Sequence, residues 1–398
     1  MSNKRYVNRF LINEMKRIEN GCCKEIRKID IGKGQDGNNL CAYYINQNVP
    51  ETIVIVGMPH GNEPVGFFFC EEFILKKEWT YSYNYLVIPV LDYDVAVQNI
   101  WIDKKFVYER FLEGNYLNSI EKQIEFQYGD LSYYAHHKKF QNLLNECSIR
   151  CVLFIHQTPS IYGGYFYTNI EDKNVYSKLQ KCFSMAGIPP EIWGQGFGVE
   201  RKAVGIFGTF HSKNILDNDL QMSSQEYVED VLKAPFITLE IPFAIVQQHD
   251  LNKIVDADID NIYTIINLSQ EIEKLANIIK TETQYKKDFE YWIHSSNKTD
   301  IHILEVISKK GNNIKYVDIY FILRSFMLKL SYLAITYRAN ELLECEILCI
   351  KISRLKREIM SLYKKYYKLL KISNLDYSIG IKVIKRCLQI IEDEKNRL

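Results

Sequence analysis

A histidine and a glutamate lie three residues apart in the segment GMPHGNE, which spans residues 57–63. Imidazole and carboxylate groups both bind zinc in proteins. A turn at Gly61 can direct the side chains of His60 and Glu63 toward one cation. The apolar, β-branched run TIVIV at residues 52–56 precedes them and predicts a central strand of a parallel sheet. Since open α/β sheets bind ligands at the carboxyl ends of their strands, this position favours a metal site. The alternative is a surface turn whose polar residues cap the next helix.

Two more residues with suitable chemistry are associated with apolar runs. His156 comes directly after CVLFI at residues 151–155, and Glu240 is the charged residue of PFITLEIP at residues 235–242. A buried carboxylate without a partner is destabilising, so Glu240 is either paired with a cation or functional. Two histidines and one carboxylate leave zinc a fourth position for water, and a further carboxylate can take the proton of that water. The pattern predicts one Zn²⁺ ion bound by His60, Glu63 and His156, with Glu240 as the proton acceptor.

The elements around these residues alternate between strands and helices. Residues 25–45 predict a β-hairpin, and residues 64–77 predict a helix between strands at 52–56 and 85–91. A strand–helix–strand order is typical of a parallel sheet covered by helices. Beyond about residue 255 the helical period dominates, and neither Gly nor Pro occurs between residues 316 and 379. The predicted domains are an N-terminal helix at 1–24, an α/β domain at 25–255, a connecting helix and joint at 256–300, and a helical domain at 301–398.

The composition argues against several classes of protein. With 398 residues, a formal net charge of +1 and 47% hydrophobic residues, the chain has no electrostatic basis for binding nucleic acid. Its ten cysteines include no C-x-x-C pair, so we expect reduced thiols. No apolar run approaches the roughly 20 residues of a membrane span, and the charged N-terminus is unlike a signal peptide. We therefore expect a cytoplasmic protein with no membrane partner.

Two adjacent histidines, His136 and His137, lie within a helix predicted at residues 131–147. Neighbouring positions on a helix face different directions, so these side chains do not form one metal site. We expect both of them at the surface.

Several segments of the chain resemble the zinc metallocarboxypeptidase superfamily, which includes carboxypeptidase A-like enzymes and the related succinylglutamate desuccinylases and aspartoacylases. PHGNE resembles the zinc-binding His-Gly-x-Glu turn in the form of the desuccinylase and aspartoacylase branch. FIHQTPSIYGGYFY resembles the segment with the third zinc ligand, and ITLEIP resembles the strand with the catalytic Glu. The match extends to two more segments, the hairpin EIRKIDIGKGQDGNNLCAYYI and the strand with its following loop VIPVLDYDVAVQN. In total it covers about residues 25–250. The resemblance implies a carboxypeptidase-like α/β fold with a mixed, mostly parallel sheet flanked by helices, and an added C-terminal helical domain.

The resemblance also implies roles for other residues. In such enzymes one Arg stabilises the tetrahedral oxyanion, and Arg110 occupies a similar place in the chain. A second Arg, following an Asn, binds the free carboxylate of the substrate, but here Tyr116 follows Asn115. Arg201 is the candidate replacement for this cation. His211 and Tyr227 are candidates for the place of the family's mobile Tyr. Tyr165 and Tyr162 are candidates for the wall of the cleft.

The implied activity is zinc-dependent hydrolysis of an amide or peptide bond, with Glu240 as general base and a peptide or small amide as substrate. Because no Arg follows Asn115, a deacylase that cleaves an N-acyl amino acid is an open alternative. A third alternative is a binding protein on a carboxypeptidase-like fold that has lost activity. The helices of residues 301–398 are candidates for a homo-oligomer interface.

Overall fold

A computed structural model gives the fold of the chain. It describes residues 7–129, 134–159, 161–191, 199–214, 221–246, 252–255, 258–275, 277–279, 283–341 and 346–394. Two compact units are present. The first comprises Met1–Phe106, Ile120–Phe243 and Leu375–Leu398, and the second comprises Val107–Ser119 and Ala244–Asn374. Neither unit is therefore one continuous piece of the sequence.

Strands and helices alternate in the earlier part of the chain, and helices predominate later. The strands are β1 (Ile26–Lys33), β2 (Asn39–Ile45), β3 (Thr52–Val56), β4 (Asn84–Ile88), β5 (Ile149–Thr158), β6 (Tyr165–Thr168), β7 (Arg201–Ala203), β8 (Ile206–Phe207), β9 (Phe236–Pro242), β10 (Ala244–Val246) and β11 (Ile372–Asn374). The helices are α1 (Arg9–Gly21), α2 (Val65–Lys76), α3 (Tyr93–Ala96), α4 (Tyr108–Gly114), α5 (Ala135–Asn145), α6 (Lys173–Ser184), α7 (Ser224–Glu226), α8 (Ile259–Leu275), α9 (Gln284–Trp292), α10 (Lys298–Ser308), α11 (Tyr316–Glu341), α12 (Glu346–Leu369) and α13 (Tyr377–Asp393).

The first unit is built on a sheet of the nine strands β1–β9. Their order across the sheet is β1-β2-β4-β3-β5-β9-β6-β8-β7. The central strands β4, β3, β5 and β9 run parallel to one another. On one side β1 and β2 are antiparallel to their neighbours, and on the other β6 is antiparallel to β9 and parallel to β8. Every residue of β3 and β4 is buried, as expected for apolar strands covered on both faces. This architecture confirms the predicted fold class.

The turn between β3 and α2 is packed at backbone distance, which explains its glycines. A Cβ added to Gly66, the second residue of α2, would lie 1.7 Å from the carbonyl oxygen of Gly57. A Cβ added to Gly57 would in turn lie 2.3 Å from the carbonyl oxygen of Pro89. Larger residues at either position would push α2 away from the end of β3. The direction in which the chain leaves β3 is therefore set by these contacts.

Helix α5 buries the two histidines that were expected at the surface. His136 is 3% exposed and His137 is fully buried, so that expectation is wrong. The physical reason lies in β1, where Gly32 has no side chain and lets the helix come close. A Cβ added to Gly32 would lie 3.2 Å from the Cβ of His136. His137 packs edge-on against Tyr128, with ring centroids 4.4 Å apart.

Helix α13 belongs to the first unit although it comes last in the chain. It packs against α2 and α6. Gly380 allows a close approach to α2, because a Cβ there would lie 2.6 Å from Val65 Cγ2. Lys385 donates to Glu72 at 2.6 Å and to Glu78 at 2.9 Å. The helix therefore covers the outer face of α2.

The second unit consists mainly of helices α8–α12, together with α4 and the short antiparallel pair β10–β11. Helix α11 contacts α4, α8, α9, α10 and α12 and forms the centre of this unit. Its charged Lys329 is fully buried and donates to Asp300 of α10 at 2.5 Å, and Ser325 donates to the same carboxylate at 2.6 Å. Burial lowers the pKa of Lys329, and the carboxylate of Asp300 opposes this effect.

One helical segment among the described residues, Tyr316–Ala339, has the length and composition of a membrane span, with a mean hydropathy of 1.4, so the expectation that no apolar run approaches this length is wrong. Of its most apolar 18-residue window, 72% is buried inside the protein. The core helix of a soluble protein has the same properties.

Candidate metal centre

Two neighbouring strands, β3 and β5, bring the predicted metal ligands to one place. His60 and Glu63 lie in the turn after β3, and His156 lies in β5, which is hydrogen-bonded to β3 on one side and to β9 on the other. The register pairs Val56 at the end of β3 with Phe154, so His156 lies two residues beyond that pair. The ligand atoms of His60, Glu63 and His156 all lie within 4.8 Å of one another. The structure therefore brings together the three side chains predicted to share one ion.

The carboxylate of Glu63 is held by β5. Its Oε2 lies 2.9 Å from Nδ1 of His156 and accepts the backbone N–H of Gln157 at 3.1 Å. Oε1 of Gln157 accepts the backbone N–H of Val65 at 2.8 Å. This N–H belongs to the first turn of α2, where backbone donors have no partner within the helix. Gln157 thus ties the start of α2 to β5 and fixes the direction of Glu63.

The turn that carries His60 is anchored on the segment that follows β4. The N–H of Gly61 donates to Oδ2 of Asp92 at 3.2 Å, and its carbonyl accepts from Nδ2 of Asn99 at 3.2 Å. A Cβ at Gly61 would lie 2.3 Å from the backbone nitrogen of Ala96, so only glycine fits here. Burial raises the pKa of Asp92 to about 8, and the N–H of Gly61 opposes this shift.

Burial favours the uncharged forms of two of the predicted ligands, Glu63 and His60. Glu63 is 8% exposed, and burial raises its pKa well above the usual value, although the N–H of Gln157 acts in the opposite direction. Burial, followed by the charge of His156, lowers the pKa of His60 well below its usual value. Within the described part of the chain, Glu63 forms its ion pair with His156 and none with a Lys or Arg. Nδ1 of His60 is buried, and none of the described residues supplies a hydrogen-bond partner for it.

A zinc ion fits this set of donors. A dication would compensate the buried charge of Glu63 and satisfy the unpartnered Nδ1 of His60. Two imidazoles and one carboxylate are a common catalytic ligand set, and zinc–ligand distances are about 2.0–2.2 Å. Donors that share one such ion lie within about 4 Å of one another, and the three donors here lie within 4.8 Å.

Glu240 lies beside His156 on the neighbouring strand. The two residues are paired in the parallel register between β5 and β9. Glu240 is the one position of β9 that is not fully buried, and its carboxylate has no hydrogen-bond partner among the residues that the structure describes. Burial raises its pKa to about 8, while His156 lowers it and the carboxylates of Glu63 and Glu125 raise it further. A cation held by Glu63 would act against those two carboxylates and favour the ionised form.

Glu125 is a residue of this site that the sequence pattern did not indicate. It lies in the 3₁₀ turn Ile124–Phe126 and is 5% exposed. Its Oε2 lies 3.7 Å from Nε2 of His156, and its Oε1 accepts the hydroxyl of Ser224. The segment between β4 and α5 has no hydrophobic period that would mark buried positions, so nothing in its pattern distinguishes this carboxylate from a surface residue. Gln157 was missed for a similar reason, since no spacing rule identifies its two contacts.

Three of the predicted site residues lie in the second unit. Arg110 is exposed on α4. Asn115 follows the last residue of α4, and its Nδ2 donates to Oγ of Ser331 at 3.3 Å. Tyr116 is 2% exposed, and its hydroxyl donates to Asp288 at 3.0 Å. The catalytic and substrate-binding roles of these residues stay predictions.

The remaining candidates lie in the first unit. Arg201 is exposed on the edge strand β7, three strand spacings from β9, or about 14 Å at the usual spacing of about 4.8 Å. Nδ1 of His211 lies 3.1 Å from Oε1 of Glu226, whose carboxylate also caps α7. Tyr165 is the register partner of Glu240 in the antiparallel pair β6–β9. Of these three candidates, Tyr165 is the one that the sheet places next to Glu240.

Comparison with known proteins gives matches among solved structures. No protein-family model matches the chain, and neither does any curated protein. The chain is similar to a metallo-carboxypeptidase from Burkholderia cenocepacia, with 10% identity, 58% of each chain covered and a TM-score of 0.39. A metallo-carboxypeptidase from Pseudomonas aeruginosa, solved with (2-guanidinoethylmercapto)succinic acid, aligns with 11% identity, 58% of each chain and a TM-score of 0.37. An aspartoacylase family protein from Mesorhizobium loti aligns with 16% identity, 55% of this chain, 60% of its own and a TM-score of 0.34.

The chain thus spans less than two thirds of each of these three structures. Their names belong to the two branches that the sequence motifs resemble.

Proposed function

We propose that this protein is a zinc-dependent hydrolase of the carboxypeptidase type, which cleaves an amide bond in a peptide or a small amide. The observation that carries the proposal is the convergence of His60, Glu63 and His156 beside the partly exposed Glu240 of the adjacent strand. A zinc ion bound there supplies Lewis-acid polarisation of a carbonyl group and lowers the pKa of a water molecule toward neutrality.

Glu240 acts as the general base in this proposal. Its carboxylate takes a proton from the attacking water and then gives it to the leaving amine. Glu240 is partly exposed, and no hydrogen-bond partner among the described residues occupies its carboxylate oxygens, which supports this role. Backbone pairing with His156 fixes where Glu240 stands relative to the ligand set. The ligands Glu63 and His156 are buried, so they hold their positions while chemistry takes place at the exposed side.

The proposal keeps two arginines as candidates for binding the charges of the substrate. Arg110 would stabilise the oxyanion, and Arg201 would bind a free carboxylate; both roles come from the resemblance. A deacylase for a small N-acyl amino acid is the second candidate function. It is favoured by the form of the PHGNE turn and by Tyr116 after Asn115, because no Arg stands where carboxypeptidases bind the terminal carboxylate.

Metal analysis tests the ligand set. We expect purified wild-type protein to retain close to one zinc per chain after dialysis, and His60→Ala to lose it, because two ligands hold zinc far more weakly than three. His211→Ala is the matched control, since His211 is bonded to Glu226 outside the cluster. Equal zinc content in wild type and His60→Ala would refute the ligand set.

Hydrolysis tests the role of Glu240. Glu240→Gln keeps the volume of the side chain but cannot accept the proton, so we expect normal zinc content and a loss in kcat of about 10²–10⁴-fold. The substrate panel contains peptides with free and with amidated C-termini, and N-acyl amino acids. Turnover of free-carboxylate peptides alone supports a carboxypeptidase, and turnover of N-acyl amino acids alone supports the deacylase. A zinc-loaded wild type that is inactive on the whole panel, or an active Glu240→Gln, would contradict the proposal.

A further inference from the structure

The imidazole of His156 has a second carboxylate on the side opposite Glu63. Nδ1 of His156 lies 2.9 Å from Glu63, whereas Nε2 lies 3.7 Å from Oε2 of Glu125. Both Nε2 of His156 and Oε2 of Glu125 are buried, and neither has a hydrogen-bond partner within the part of the chain that the structure describes. Two buried polar atoms that face each other without other partners are stabilised when they bond to each other.

The contacts of His156 also indicate which of its nitrogens faces the metal. Nδ1 lies 2.9 Å from Oε2 of Glu63, which is a hydrogen-bond distance, so an ion bound by Glu63 would lie on the Nδ1 side of the ring. Nε2 points the other way, toward Glu125. A neutral imidazole that binds a metal through Nδ1 carries its proton on Nε2 and needs an acceptor there.

Glu125 is itself held in place from the other side. Its Oε1 accepts the hydroxyl of Ser224, the first residue of α7. Its Oε2 is left to face His156. The 3₁₀ turn Ile124–Phe126 is buried throughout, so the carboxylate cannot turn to solvent without moving the backbone.

We propose that Glu125 is a positioning residue for the metal centre: its carboxylate accepts the Nε2–H of His156 and holds the ring with Nδ1 directed at the ligand site. The inference rests on the proposed function, because it requires a metal bound by His156. Carboxylates that orient a ligating histidine fix its tautomer and raise its basicity, and their loss lowers metal affinity about 10- to 100-fold. Glu125 touches neither metal nor substrate in this arrangement.

Zinc affinity measured by competition with a chelator tests the inference. We expect Glu125→Gln to weaken zinc binding about 10- to 100-fold, and Ser224→Ala to weaken it less, because Ser224 acts through Glu125. Glu121→Gln is the matched control, since Glu121 is exposed four residues earlier in the same segment, and its affinity should equal that of wild type. Wild-type affinity in Glu125→Gln would overturn the inference and leave the proposed function intact. A wild type that does not bind zinc would overturn both.

The wild-type protein gives a second measurement that does not depend on the folding of a variant. In ¹⁵N-histidine NMR spectra of the zinc-loaded protein, we expect His156 to bind zinc through Nδ1 and to carry a proton on Nε2 that exchanges slowly with solvent. Zinc bound through Nε2, or a rapidly exchanging Nε2 proton, would contradict the role of Glu125.

Discussion

Replacing His137 by leucine should remove a pH dependence that this buried imidazole imposes on folding. His137 is fully buried in α5, where its ring meets Tyr128 edge-on and its Nδ1 lies 3.4 Å from Nε2 of Gln141. Burial, reinforced by the neighbouring His136, lowers the pKa of His137 to about 3. The ring is therefore neutral in the folded protein at any pH at which the protein is ordinarily handled.

The size of the effect follows from the difference between the folded and unfolded pKa values. In the unfolded chain the group titrates near 6.5, so below that pH the unfolded state binds a proton that the folded state does not. The contribution of His137 to the free energy of unfolding is thus complete above pH 6.5. It decreases as the pH falls from 6.5 toward 3. At pH 5.0 the solution is about 1.5 units below the unfolded pKa, which corresponds to about 2 kcal/mol of lost stability, or a factor of about 30 in the unfolding equilibrium.

The assay compares the free energy of unfolding of wild type and His137→Leu at pH 7.5 and at pH 5.0. Urea titrations give the free energy of unfolding. Hydrogen exchange in the α5 peptide shows whether the measured unfolding transition includes α5. Wild type should lose about 2 kcal/mol more than the variant over this pH range. His302→Leu, at an exposed position of α10, should retain the wild-type dependence. An identical pH dependence in wild type and His137→Leu would refute the reasoning.

Two further substitutions test the packing. Gly66→Ala should destabilise the protein by about 3 kcal/mol or more and reduce its zinc content, because the added Cβ meets the carbonyl oxygen of Gly57 at 1.7 Å. Gly208→Ala is the control, because its added Cβ would meet a flexible lysine side chain. If thermal unfolding shows equal losses of stability in the two variants, the close contact of Gly66 with Gly57 is not the cause. Lys329→Met should lower the free energy of unfolding by about 3–5 kcal/mol, because it leaves Asp300 buried without its cation. The double variant Asp300→Leu with Lys329→Met should lower it clearly less. Chemical denaturation measures both, and a double variant as unstable as the single one would show that the ion pair is not the cause.

The turn with His60 and Glu63 and the fold class could be predicted because both are encoded by residues close together in the sequence. Short apolar runs before His60 and His156 mark buried parallel strands, and the ends of such strands meet at one edge of a sheet. Glu240 was recognisable because a single charge interrupts an otherwise apolar strand. In each case the residue types within a few positions carry the information.

Other features depend on contacts between distant segments, which no local pattern records. The burial of His136 requires Gly32, about a hundred residues earlier, to leave room for the helix. Glu125 becomes part of the site because Ser224 and His156 reach it from two other parts of the chain. The amphipathic period of α13 predicts a helix with one apolar face, but it does not say which unit that face will cover.

The place of α13 has a consequence for biosynthesis. Its Gly380 lies against Val65, whose N–H donates to Gln157 next to the predicted metal ligands. Since a ribosome makes the chain from its N-terminus, the sheet and its ligands emerge long before α13 does, with the second unit translated in between. The support of α2 is therefore completed only when residues up to about 393 have left the ribosome. A nascent chain that has not yet released α13 lacks this support of α2.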